Sequence, residues 1–151
     1  MPPMSNHEIP TRPSLLRRLA AVGYDFLLLL SVWFLASFLV LPFTHGEAVA
    51  TTAWWFKVYL LVVTFGFYGW FWTHGGQTLG MRAWRMKLLT EDRQPIGWGR
   101  AAIRFAVAGL SWGAFALGWL WMLWDREQCT WHDTLSRSRM YMLPKADKKT
   151  R

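Results

Sequence analysis

Arg17–Phe43 reads RRLAAVGYDFLLLLSVWFLASFLVLPF, and this stretch decides the class of the 151-residue chain. Two arginines open it. From Phe26 to Phe43 the run is apolar apart from Ser31, Ser37 and Pro42. An uncharged apolar run of about 18 residues is a transmembrane candidate, because about 20 residues cross the hydrocarbon. Asp25 stands at the inner end of the run. A carboxylate in hydrocarbon costs roughly 2.5–3.5 kcal/mol, so a partner or a function must hold it there.

Working outward, the length allows one domain. Hydrophobic residues make up 53% of the chain and aromatic residues 17%, with 12 Trp. That is more aromatic surface than one soluble core of this size needs, and it suits the belts that Trp and Tyr form at headgroup level. The formal charge is +8. The basic residues flank apolar runs and form no groove-reading motif, so nucleic acid is not an expected partner. Anionic lipid headgroups and membrane orientation explain them instead. A lone Cys129 excludes an internal disulfide and a Cys-based metal site, and the 4 histidines have no ligand spacing, so neither metal nor cofactor is expected. The first apolar run is too long for a signal peptide and reads as an uncleaved anchor.

Residues 1–11 read as a disordered start, and Ser14 as the N-cap of a helix ending near Pro42. The loop 44–52 carries Glu47 and no Lys or Arg. A second run, Ala53–Trp72, places Trp54, Trp55, Trp70 and Trp72 at its two ends, as a belt requires, with Lys57 snorkelling outward. The connector from His74 to Arg100 is basic, which keeps it cytoplasmic. Trp84–Thr90, WRMKLLT, reads as a short surface strand, with a surface helix as the alternative.

The third run, Ala101–Trp124, carries Arg104 and Gly109, Gly113 and Gly118. A single crossing would put Arg126, Arg137, Arg139, Lys145, Lys148, Lys149 and Arg151 outside, against the positive-inside rule. Arg139–Leu143 is also strand-like and can pair with Arg85–Thr90 only on the same side. A re-entrant or broken segment turning near Leu110–Gly113 is therefore favoured, irregular backbone being tolerated where protein or a wet cavity covers it. One ordinary crossing remains the alternative. Thr130 and Asp133 look like a capping box opening a helix from Trp131 to about Arg137, and residues 144–151 read as a basic disordered tail.

Taken together, RRLAAVGYD (Arg17–Asp25), GQTLGM (Gly76–Met81) followed by Lys87-Leu88, Arg104, and Trp131–Asp133 with the strand after it resemble the RDD family of small bacterial membrane proteins. The resemblance covers about Arg12 to Leu143, with Ser138 in place of the usual Thr. It implies that Arg18 is the family's arginine and Asp25 its first aspartate. Asp133, after His132, matches the second, with Asp125 as the other candidate. It further implies a transport role, with cation/proton exchange proposed for some members, and a bacterial inner-membrane location.

Arg18 and Asp25 share a helix face but stand about 10.5 Å apart along it, too far for direct pairing. Arg104 is the leading partner for Asp25, with Arg82 or Arg85 as substitutes. Burial would raise the pKa of Asp25 and a guanidinium would lower it. The cluster is then either an ion-responsive carboxylate or, more simply, a static polar clamp. His132 and Asp133 are neighbours and do not face each other on a helix. With no nucleophile motif nearby they read as cap and packing residues, and no enzyme is expected.

The expected protein is an all-α membrane protein. It has two transmembrane helices (about 24–43 and 53–72), a third re-entrant or broken membrane segment (101–124) and short cytoplasmic strand or amphipathic elements. Its N-terminus is cytoplasmic. The expected function is a small-solute or ion transport component acting through Arg18, Asp25, Arg104, His132 and Asp133, with Asp125 as the substitute aspartate. The rival is a non-transporting adaptor or assembly factor whose charges bind a partner helix or lipid headgroups. So few helices call for a homo-oligomer or a membrane partner.

Overall fold

The structure is a computed structural model and describes residues 11–114 and 117–144. The expectations for the N-terminal stretch before Thr11 and for the basic tail after Pro144 lie outside the described residues.

Helix α1 runs Leu15–Val40, followed by a 3-10 turn, Leu41–Thr44, that begins where Pro42 removes a backbone donor. Ser14 occupies the N-cap position, although its side chain makes no capping bond. At 26 residues α1 is about 39 Å long, more than the hydrocarbon core of about 30 Å requires. Helix α2 is Trp54–Thr73. Trp33 Nε1 donates to Thr64 Oγ1 at 2.9 Å, and Tyr59 OH donates to the Ala36 carbonyl at 3.1 Å, so α1 and α2 are tied along their length.

A short helix, α3 (Leu79–Ala83), leads into strand β1 (Met86–Thr90). Helix α4 (Trp98–Gly113) then precedes α5 (Leu117–Leu120), a 3-10 turn (Trp121–Leu123), α6 (Trp131–Leu135) and strand β2 (Ser138–Met142).

β1 and β2 pair antiparallel, with Leu88 opposite Met140 and Thr90 opposite Ser138. The strand reading of the connector therefore holds over the helical one. Alternation buries Met86, Leu88 and Thr90, the period-2 pattern of a strand packed on one face. Leu88 N also donates to the Gly76 carbonyl at 2.7 Å. A Cβ on Gly76 would strike the Leu88 carbonyl oxygen, and its φ of +69° favours glycine. Because β1 follows α2 and β2 follows α6, the pairing brings the connector and the C-terminal segment to one end of the helices.

That end holds the core: Ala21, Trp72, Met81, Met86, Leu88, Ile96, Ala101 and Met140. Away from it the helices expose apolar side chains, Phe34 at 78% and Leu110 at 73%.

Among the described residues, α1 with its 3-10 turn is the one helix long and apolar enough by itself to cross a membrane. α2 has the length, but its four Trp, two Tyr, two Gly and Lys57 dilute its hydropathy. Trp98–Gly113 and Leu117–Leu123 pass together as a pair bent by 104°. The turn expected at Leu110–Gly113 is displaced: the helix continues through those residues, and the break follows them. Among the described residues, Gly109 and Gly113 have no neighbour within 4 Å of an added Cβ. Gly80 makes a close approach, where a Cβ would collide with the Ala21 carbonyl oxygen of α1.

Candidate functional site

Two acidic centres sit where the helices meet the sheet, and the structure divides the charges between them differently from the sequence expectation. Asp133, at the third position of α6, is fully buried. The α6 backbone presents it through the expected capping box: Thr130 N donates to Asp133 Oδ2 at 3.3 Å. Arg18 Nη1 from α1 and Arg104 Nη1 from α4 each donate to a different carboxylate oxygen of Asp133. Arg18 Nη2 also reaches the Gln128 carbonyl at 3.2 Å, and Arg104 Nη1 reaches Ser138 Oγ at 3.1 Å. The Arg104 guanidinium lies 5.3 Å from the centroid of the Trp72 ring, a cation–π distance. One carboxylate thus ties α1, α4 and α6 together, the clamp expected of this cluster but built on Asp133.

Burial alone would raise the Asp133 pKa, yet Arg104 and Arg18 hold it well below the usual 3.8. His132 is buried beside it. Burial first and Arg104 second push its pKa down to about 3, so it is neutral at physiological pH. Its Nε2 hydrogen-bonds Thr130 Oγ1 at 2.9 Å, and its ring centroid lies 4.9 Å from that of Trp119.

Asp25 does not meet Arg104. Thr78 Oγ1 donates to Asp25 Oδ2 at 2.5 Å, and Gly80 N donates to Oδ1 at 2.8 Å. Thr78 is the N-cap of α3, its Oγ1 accepting from Met81 N at 3.2 Å. No ion pair to Asp25 is present among the described residues. The reason is geometric: Arg104 is committed to Asp133 and Ser138, while α3 packs directly on α1 through Gly80. Arg82 is exposed and Arg85 half-buried, and neither bonds Asp25. Asp125, the other candidate for the second aspartate, organises a loop instead, accepting from Glu127 N at 3.2 Å and Cys129 N at 3.0 Å. Thr78, Gly80 and Ser138 are site residues that charge-based reasoning missed. Thr78 and Gly80 lie in the GQTLGM stretch, where a capping Thr before a short helix was the available signal.

Between α1, α2 and α4 lies a cavity of about 270 Å³, floored by α3, the sheet and α6. Asp25, Arg18, Arg104 and His132 all line it, among mainly apolar and aromatic neighbours such as Val22, Leu61, Tyr68 and Phe105. Arg18 Nε, Arg104 Nε and His132 Nδ1 are buried without a hydrogen-bond partner among the described residues. An apolar cleft with a few convergent polar groups is the usual form of a small-molecule site.

The sequence model of the RDD family matches residues 12–137. No curated protein and no solved structure gives a significant match.

Proposed function

The chain belongs to the RDD family, a family of membrane proteins, and from that premise we propose that it is a small-solute or ion transport component whose binding site is the cavity between α1, α2 and α4. The cavity carries this reading. It brings a carboxylate and two guanidiniums to one apolar cleft, an arrangement expensive to maintain unless they serve a ligand or a path.

In the proposed topology α1 and α2 cross the bacterial inner membrane, and α4 with α5 enters and returns. The N-terminus, the connector and the C-terminal segment then share the cytoplasmic side. The paired strands and the positive-inside rule support it. Because α1 leaves most of its apolar surface uncovered, a second copy or a membrane partner completes the path. Anionic headgroups meet the basic connector. The Arg18–Asp133–Arg104 triad acts as the clamp that holds the cleft's floor, and Asp25 as its working carboxylate.

The test is flux in proteoliposomes with a trapped pH-sensitive dye and pulses of sodium, potassium, a mixed amino-acid hydrolysate and a long-chain ω-amino acid. Wild type should move at least one of them, and inserted Asp25→Asn should not. Equal flux in both forms would remove Asp25 from the mechanism. Absence of flux from wild type, with a protein partner that co-purifies and is lost in Asp25→Asn, would establish the adaptor role instead.

A further inference from the structure

The two charged centres of the cavity are each incomplete, in opposite senses. Arg18 and Arg104 carry two positive charges against the single carboxylate of Asp133, and all three are 2% exposed or less. One positive charge is left over at that end, and each arginine retains a buried Nε without a partner. Asp25, also 2% exposed, is held by a hydroxyl and a backbone N–H and has no cationic partner among the described residues. A carboxylate offers about four lone-pair sites, so two acceptor positions remain on Asp25. Buried charge without a counter-charge is strongly unfavourable, so each centre offers a place to a ligand group of opposite sign.

The two centres cannot complete each other. Arg18 and Asp25 are seven residues apart on one face of α1, about 10.5 Å along the axis. The Cα–Cβ bonds of a helix lean toward its N-terminus, and a long side chain follows that lean. The Arg18 head therefore lies farther from Asp25 than the backbone spacing alone implies, in keeping with its bonds to Asp133 and Gln128. Apolar and aromatic side chains line the cavity around both centres.

We propose that the cavity takes an extended zwitterion, with an ammonium group at Asp25, an acid group at the Arg18–Arg104 end, and an apolar frame between them. This rests on the reading of the cavity as the solute site and specifies the class of solute. A simple cation would satisfy Asp25 and leave the arginine end in excess; a simple anion would do the reverse. An α-amino acid carries both charges but holds them too close together to reach both centres.

The experiment is saturable binding of radiolabelled ω-aminooctanoate to the full chain in phosphatidylcholine nanodiscs. Octylamine, octanoate and α-aminooctanoate, which share the eight-carbon frame, serve as competitors. The zwitterion should bind saturably, and each competitor should be about tenfold weaker or more, the factor given by about 1.4 kcal/mol. Asp25→Asn, which keeps one acceptor for Gly80, should weaken binding by a similar factor. Ala108→Phe, which fills the cavity from α4 one turn beyond Arg104, should abolish it without lowering the melting temperature.

Any single analogue competing as well as the zwitterion would overturn the proposal, as would binding that survives Ala108→Phe or a lack of saturable binding. The two readings fail separately. Saturable binding without flux in proteoliposomes would end the transport reading and leave this one standing, whereas flux of another solute without zwitterion binding would end this one alone.

Discussion

Replacing Asp133 by Asn tests the clamp. The side chain keeps its size and one acceptor oxygen, but at least one of Arg18 and Arg104 then faces an amide NH₂ group in place of a carboxylate. Both arginines are buried, with 2% exposure or less. Removing one partner of a buried ion pair costs about 3–5 kcal/mol, because the charge left behind is uncompensated. Against a total of about 5–15 kcal/mol for a domain, that is about a fifth of the stability or more. The assay is reversible denaturation in mild detergent followed by circular dichroism, with hydrogen exchange reporting whether α6 and β2 open first. A companion variant, Arg18→Met with Arg104→Met and Asp133→Leu, removes every charge at once and should be less damaged than Asp133→Asn, since an apolar replacement of a whole buried triad is often neutral. A loss below about 1 kcal/mol for Asp133→Asn, the size of an exposed surface pair, would refute the clamp.

Acidification should weaken the protein through His132. Its native pKa of about 3 lies below the ordinary 6.5, so the unfolded chain takes up the proton first as pH falls. The contribution is complete above pH 6.5 and declines toward pH 3 by up to about 1.4 kcal/mol per pH unit, a slope that His132→Gln should flatten in a pH series of melts. Asp133 acts in the same direction but in a more acidic window: its depressed pKa leaves its contribution intact above the ordinary 3.8, and that contribution is lost as pH falls from there through the lower native value. Gly80→Ala should cost about 1–3 kcal/mol and reduce detergent-extracted yield, because its Cβ meets the Ala21 carbonyl oxygen, a backbone atom. Thr78→Val removes the donor to Asp25 and the cap of α3 together and should cost about 1–3 kcal/mol by the same melts. A reporter fused after Leu143 should be active on the cytoplasmic side; activity on the outer side would refute the returning α4–α5 segment.

The long apolar run decided the class because about 18 such residues are nearly enough to cross the hydrocarbon, and α1 with its 3-10 turn covers the whole of it. The strand pairing was also legible. WRMKLLT and RMYML alternate apolar with polar residues, and the charge rule put both on one side; the structure pairs them within a residue of the expected limits. Thr130 and Asp133 announced their helix through local spacing. The partner of Asp25 was not legible, for a physical reason. A carboxylate satisfied by a threonine hydroxyl and a glycine N–H leaves no charge signature in the sequence, whereas Arg104 supplied an obvious but wrong one. The true pairing, Arg18 with Asp133 across 115 positions, depends on where α6 lands after the break that follows α4, and no local pattern encodes that.

Which carboxylate carries the arginines decides how the site is built, and solid-state NMR measures this directly. Asp labelled with ¹³C at the carboxyl and Arg labelled with ¹⁵N at the guanidinium, in lipid bilayers, report each contact through dipolar dephasing. The Asp133 resonance, assigned by its disappearance in Asp133→Asn, should dephase strongly, and the Asp25 resonance, assigned likewise with Asp25→Asn, should not. Strong dephasing at Asp25, with Asp133 unaffected, would contradict the arrangement of the site.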